Sequence, residues 1–136
     1  MRRSLIQQIA AIAVSSCVLL AGPANAQSSP PEKSKGMSAK PISAISLSEE
    51  IDGVQARHLR AVLVTVESGG ANPLHNHLDR PEIIYVLKGR LTDHRGGESK
   101  DYGPGESITS GKSTTHWIEN RGSEPVTFIA VSIVKQ

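Results

Sequence analysis

Apolar positions along this chain recur at every second residue, in short runs cut by glycine, and not at helical spacing. Residues 42–47 alternate apolar with small side chains, residues 59–66 are rich in branched ones, and further short apolar runs cover residues 83–87, 107–109, 116–119 and 126–134. Each run has strand length. Gly69-Gly70, Lys88-Gly89, Gly96-Gly97 and Arg121-Gly122 separate them as turns. Residues 48–51 read as a single turn of helix at most. Short strands, Gly-rich turns and no internal repeat predict an all-β domain, an antiparallel sandwich or a small antiparallel β-barrel.

Strand alternation also assigns faces, because successive side chains point to opposite sides of a sheet. With Glu82 inward, Ile84 and Val86 are inward too, while Ile83, Tyr85 and Leu87 point outward. Both sets are apolar. The same holds along residues 126–134, so at least one outer surface is expected to pack against a second sheet or a second copy of the chain, and the pattern predicts a homodimer. By the same phase His116, Ile118 and Asn120 share one face and Trp117 takes the other, which makes Trp117 a packing residue.

Candidate chemistry concentrates in Gly69-(x5)-His75-x-His77-(x4)-Glu82-(x6)-Gly89. Two apart in a strand, His75 and His77 point the same way and Asn76 turns outward. The interruption Leu78-Asp79-Arg80-Pro81 reads as a turn that carries Glu82 onto the adjacent strand, beside the histidines. Imidazole nitrogens and a carboxylate oxygen suit a divalent transition metal; without a thiolate, an iron–sulfur cluster or a Cys-type structural zinc site is excluded.

That spacing resembles the first signature motif of the cupin family. A second stretch, Gly105-(x5)-Gly111-x-Ser113-(x2)-His116-(x3)-Asn120, is similar to the family's second motif, with Gly111 where the family usually has Pro and Ser113 where it has Gly. Glycine in place of proline frees the backbone just ahead of His116. The resemblance implies a small cupin-like barrel or jelly roll over residues 42–136, with one divalent metal ion (Fe, Mn, Ni, Cu or Zn) inside it and His116 as a further ligand beside His75, His77 and Glu82. Three nitrogens and one oxygen leave two octahedral positions open, which favours catalysis over a structural role. Glu82 is then also the candidate base. No nucleophile elbow, phosphate-cradling loop or catalytic cysteine competes with this reading.

Residues 1–26 frame the domain. Arg2 and Arg3, an apolar stretch over residues 9–21 and the closing Ala24-Asn25-Ala26 read as a signal peptide cleaved after Ala26. Cys17 sits in a lipoprotein-like box, yet the apolar run continues past it, which places it inside the hydrophobic region. Cleavage leaves no cysteine, so no disulfide holds the mature chain. Residues 27–41, rich in Ser, Pro and Lys, read as a flexible linker. The formal charge of +2 misleads, since from Pro41 onward ten Lys and Arg face twelve Asp and Glu. No basic stripe for nucleic acid exists, and no membrane contact is expected after cleavage. His58 and His94 read as surface residues, Asp79 and Arg80 as shapers of the turn before Glu82, Tyr85 and Tyr102 as structural.

The expected function is that of a periplasmic or secreted metal-dependent oxidoreductase, dioxygenase-like, acting on a small organic molecule. Ile84, Val86 and Ile118 predict a tight apolar pocket, and only four aromatic residues are available to stack on a flat polyphenol. The alternatives are a non-catalytic barrel that binds a small molecule or the metal itself, and a metal-activated lyase or isomerase.

Overall fold

The computed structural model describes residues 28–135. The signal peptide read over residues 1–26, Cys17 and the first linker residue lie outside that range. Nine strands and one turn of helix follow in the order β1 (Lys35–Ser46), α1 (Leu47–Glu50), β2 (Arg57–Ala71), β3 (His75–Asn76), β4 (Glu82–Lys88), β5 (Leu91–Arg95), β6 (Glu98–Tyr102), β7 (Ser107–Ser110), β8 (Thr115–Glu119) and β9 (Val126–Lys135). All pairings are antiparallel. Neighbours run β6-β5-β8-β2-β9-β4-β7, with β1 added beside β2 and β3 beside β8, and the sheet curls into a nearly closed barrel.

Two departures from the sequence expectation have clear causes. β1 begins at Lys35, inside the stretch expected to be a flexible linker, because its backbone pairs with β2 from Lys35↔Ala71 to Ser46↔His58 and most of its side chains stay exposed. Backbone pairing needs no apolar pattern. The hairpin β5-β6 was absent from the strand pattern for the same reason: β6 is an almost wholly exposed edge strand, and β5 carries Thr92, Asp93 and His94. Its turn was visible, since Gly96 and Gly97 both take positive φ, +57° and +87°, as a two-residue hairpin of primed type requires.

Cross-strand register stacks the interior in layers. Deepest of three rungs on β2, β9 and β4 are Val64, Phe128 and Val86; above them lie Val62, Ala130, Ile84 and, on β7, Ile108. The uppermost rung is Arg60, Ser132, Glu82 and Ser110. Within these three rungs polar side chains enter only at the uppermost. The inward assignment of Ile84 and Val86 holds, with both buried, and Ile83, Tyr85 and Leu87 point outward. Each buried aliphatic contributes about 1.5–3 kcal/mol of transfer free energy, so the lower rungs hold the barrel while the upper one is left for chemistry. Gly89 ends β4 at φ +79°, and an added Cβ would stand 2.9 Å from the Pro125 carbonyl, which accounts for the glycine at that end of the first motif.

Candidate metal centre

His75 and His116 are register partners on β3 and β8. His77 follows two residues after His75, where its backbone N–H donates to the Thr114 carbonyl (3.0 Å) and keeps it on β8 although strand pairing has ended. The turn ahead of His116 is closed from both sides: Thr114 N–H donates to the Gly111 carbonyl (2.9 Å) and Gly111 N–H to Thr114 Oγ1 (3.1 Å). Thr114 thereby supplies the stiffness that the glycine at 111 takes away. Asn76 points outward as expected, its Oδ1 accepting from Leu78 N–H at 3.2 Å.

The three imidazoles converge through Nε2. His75 Nε2 lies 3.1 Å from His77 Nε2, which lies 2.8 Å from His116 Nε2. On every ring Nδ1 faces an oxygen that can only accept: the Pro73 carbonyl at 3.0 Å, the Arg80 carbonyl at 2.8 Å, and Asp93 Oδ1 at 2.6 Å. Each Nδ1 is therefore placed to donate its proton to that oxygen, which leaves Nε2 as the ligand atom of each neutral ring, turned toward the other two. Such an arrangement could hold a cation.

Donor spacing tests which cation fits. Two metal–nitrogen bonds of about 2.1 Å place their nitrogens about 3.0 Å apart at a right angle and about 3.4 Å apart at the tetrahedral angle. The observed 3.1 and 2.8 Å match the right angle. The two contacts of His77 are thus spaced as neighbouring ligands of one divalent metal would be, and the trio could hold such an ion. Burial is the main reason the His75 and His77 imidazoles lie below their ordinary pKa, so both favour the neutral form that binds metal.

Glu82 lies near enough for its charge to act on His77, but outside the tight histidine group. The three histidines offer ligand atoms all within 4.8 Å of one another, and Glu82 is not among them. The turn at 78–81 does not lead to a strand adjacent to the histidines, as the sequence reading expected. β3 pairs with β8, whereas β4 pairs with β7 and β9, so the chain crosses to another wall of the barrel before Glu82. There its Oε2 faces Arg80 Nη1 at 3.8 Å. Glu82 still lines the same cavity as His75 and His116.

That cavity, about 210 Å³, is floored by Val62, Val64, Ile84, Ile118, Phe128 and Ala130. The tight apolar pocket expected from Ile84 and Ile118 is present, while Val86 lies in the packed core below it. Asp79 shapes the turn as expected, accepting from Lys135 Nζ at 2.6 Å. Arg80 reaches the cavity wall.

Sequence reasoning missed Asp93. Only 2% of its side chain is exposed; Oδ1 accepts from His116 and Oδ2 from Arg95 Nε at 2.6 Å, while Arg95 also donates to the Thr109 carbonyl and Ser110 Oγ. Burial pushes its carboxyl up, but the His116 hydrogen bond and charge together with Arg95 outweigh this and hold it below the usual carboxylate range. The signal for it was strand phase, which puts Asp93 two residues from both Leu91 and Arg95 on one face once β5 is recognised.

His94 is a correction. Expected at the surface, it is 4% exposed, stacked on Trp117 with ring centroids 3.8 Å apart and 5° between planes. Its Nε2 also meets Glu119 Oε1 at 2.8 Å. The β5-β8 register, which sets His94 against Trp117, buries it. Trp117 has the packing role expected, Tyr102 packs against the core, and half-buried His58 sits opposite Val134, outside the trio.

The family model described as "Cupin domain" matches residues 62–132, from the middle of β2 into β9. The rhicadhesin receptor of Pisum sativum is 30% identical over 87 residues, 60% of this chain and 40% of that protein, so the chain spans well under half of that relative. Among solved structures, the polyketide cyclase RemF from Streptomyces resistomycificus superposes with a TM-score of 0.60 at 23% identity, over 77% of this chain and 68% of the other. A Cupin 2 conserved barrel domain protein from Salinispora arenicola gives 0.55 at 18%, over 71% and 74%. At such identities the likeness is one of fold, while the family match covers more than half of the sequence and includes all three converging histidines. The chain belongs to the cupin family.

Proposed function

We propose that this protein is a metal-dependent oxidoreductase of the oxygenase type, exported to the periplasm or beyond, that acts on a small organic molecule. The observation that carries the reading is the convergence of three imidazole Nε2 atoms, with His77 3.1 and 2.8 Å from its two neighbours, beside an apolar cavity. His75, His77 and His116 would hold the ion, and three protein ligands would leave it positions for other ligands. A divalent metal bound there supplies Lewis acidity and, if redox-active, a route for electrons to dioxygen. Ile84, Ile118 and Phe128 keep bulk water from the floor, Asp93 holds the His116 proton on Nδ1, and Glu82 offers a carboxylate to take a proton at Oε1 or Oε2.

A second reading, a metal-activated lyase or isomerase, is favoured by the position of Glu82 itself. A carboxylate outside the ligand group but inside the cavity is free to shuttle protons. Oxygen uptake with small acids and enols, using protein loaded in turn with iron, manganese, copper or nickel, separates the two. Turnover confined to aerated samples is the expected result; turnover that persists without air moves the assignment to the second reading, and silence under every condition leaves a binding protein.

The homodimer belongs to the same proposal. Ile83, Tyr85 and Leu87 on β4 are 51%, 47% and 44% exposed, and Val131 on β9 and Ile45 on β1 extend the apolar surface across the same wall of the barrel. A stable pair hides on the order of 800 Å² per partner. Sedimentation velocity should give a dimer for the parent and a monomer for Ile83→Lys with Leu87→Lys. A monomeric parent at micromolar concentration would remove the dimer.

A further inference from the structure

One cation in the cavity has no partner for its charge. Arg60 lies on β2 in phase with Val62, Val64 and Val66, the only charged side chain on the inward face of that run, and it lines the same cavity as His75 and His116. Its Nε donates to Ser132 Oγ at 3.3 Å, and no carboxylate comes within ion-pair distance of its guanidinium among the described residues. The nearest carboxylate in register is Glu82, two strands away across Ser132, and that one faces Arg80. Strands sit about 4.8 Å apart, so the two backbones are separated by roughly 9.6 Å.

A half-buried guanidinium with no ion-pair partner on the wall of an apolar cavity is open to an anion, and the planar fork of arginine donates two parallel hydrogen bonds to a carboxylate. From this we infer that the cavity takes a small organic acid whose carboxylate pairs with Arg60 while its other end, carrying an oxygen, faces the histidine trio. A single unpaired fork suits a single negative charge, which favours a carboxylate over a phosphate dianion. The cavity size limits the chain between the two ends to a few carbons. This inference rests on the reading of the trio as a metal centre for the second end only; the Arg60 end stands on register and charge.

Calorimetric titration with glycolate, 3-hydroxypropanoate and 4-hydroxybutanoate, each against its neutral amide, tests it in both manganese-loaded and metal-free protein. At least one acid is expected to bind the parent about ten-fold more tightly than its amide, as a charge-assisted pair implies. In Arg60→Gln that ratio should fall to near one with manganese content unchanged, and Arg60→Lys, which keeps charge but not the fork, should recover part of it. Equal binding of acid and amide by the parent, no measurable binding of any acid, or a ratio untouched by Arg60→Gln would each overturn the proposal. So would tighter binding of 2-hydroxyethyl phosphate than of every acid. A parent that retains no manganese yet still prefers acid over amide would sink the metal centre and leave Arg60 supported.

Discussion

His77→Ala is expected to abolish metal retention. His77 is the central member of the trio, the ring whose Nε2 lies within hydrogen-bond range of both others, and it is completely buried. Removing it leaves His75 and His116 without the bridging donor and opens a void the size of an imidazole. Loss of an outer-shell partner alone costs roughly 10–100-fold in metal affinity, so loss of the central ligand should exceed roughly a hundred-fold. Equilibrium dialysis followed by elemental analysis reads this directly. His58→Ala is the control, since His58 lies outside the trio, and it should keep the parent's metal content. Retention of metal by His77→Ala would disprove the site.

The second large effect belongs to Asp93→Ala, a residue that need not touch the metal. Its carboxylate accepts from the buried His116 imidazole and from Arg95, whose side chain is 36% exposed, and losing a hydrogen bond to a charged acceptor costs about 1.5–3 kcal/mol. Urea unfolding of the metal-free protein should show a loss of that order. Metal affinity should fall as well, by roughly 10–100-fold, because nothing then keeps the proton of His116 on Nδ1 and its lone pair on Nε2. Asp93→Asn keeps an acceptor oxygen without the charge and should sit between parent and alanine in both measurements. A full loss of stability with undiminished affinity would make Asp93 a structural residue only.

Much of this was legible in the sequence because strand alternation is a strict rule. It placed His75 with His77, Ile84 with Val86, and His116 opposite in phase to Trp117, and the coordinates agree. The metal-ligating spacing was equally readable, since His-x-His needs only one strand. What could not be read was which strands become neighbours. Glu82 was expected beside the histidines because the intervening turn is short; the chain instead crosses the barrel there, and Arg80 faces the carboxylate. Asp93 was passed over and His94 assigned to the surface because β5 and β6 are held by backbone pairing, and their side chains show no apolar rhythm. Arg60 was in plain view as a lone charge within an apolar phase, but its meaning depends on Ser132 and Glu82, more than twenty residues away.

The long pairing of β2 with β9, from Arg57↔Lys135 to Val66↔Val126, has a consequence for biogenesis. The wall that carries Arg60 and Ser132 cannot form until the last strand has been synthesised, and contacts that distant along a chain make folding slow, on the millisecond-to-second scale. A nascent or translocating polypeptide holding only β1 to β8 can bring His75 against His116 but has no wall to enclose them. On the metal-centre reading proposed above, ion capture follows topological completion.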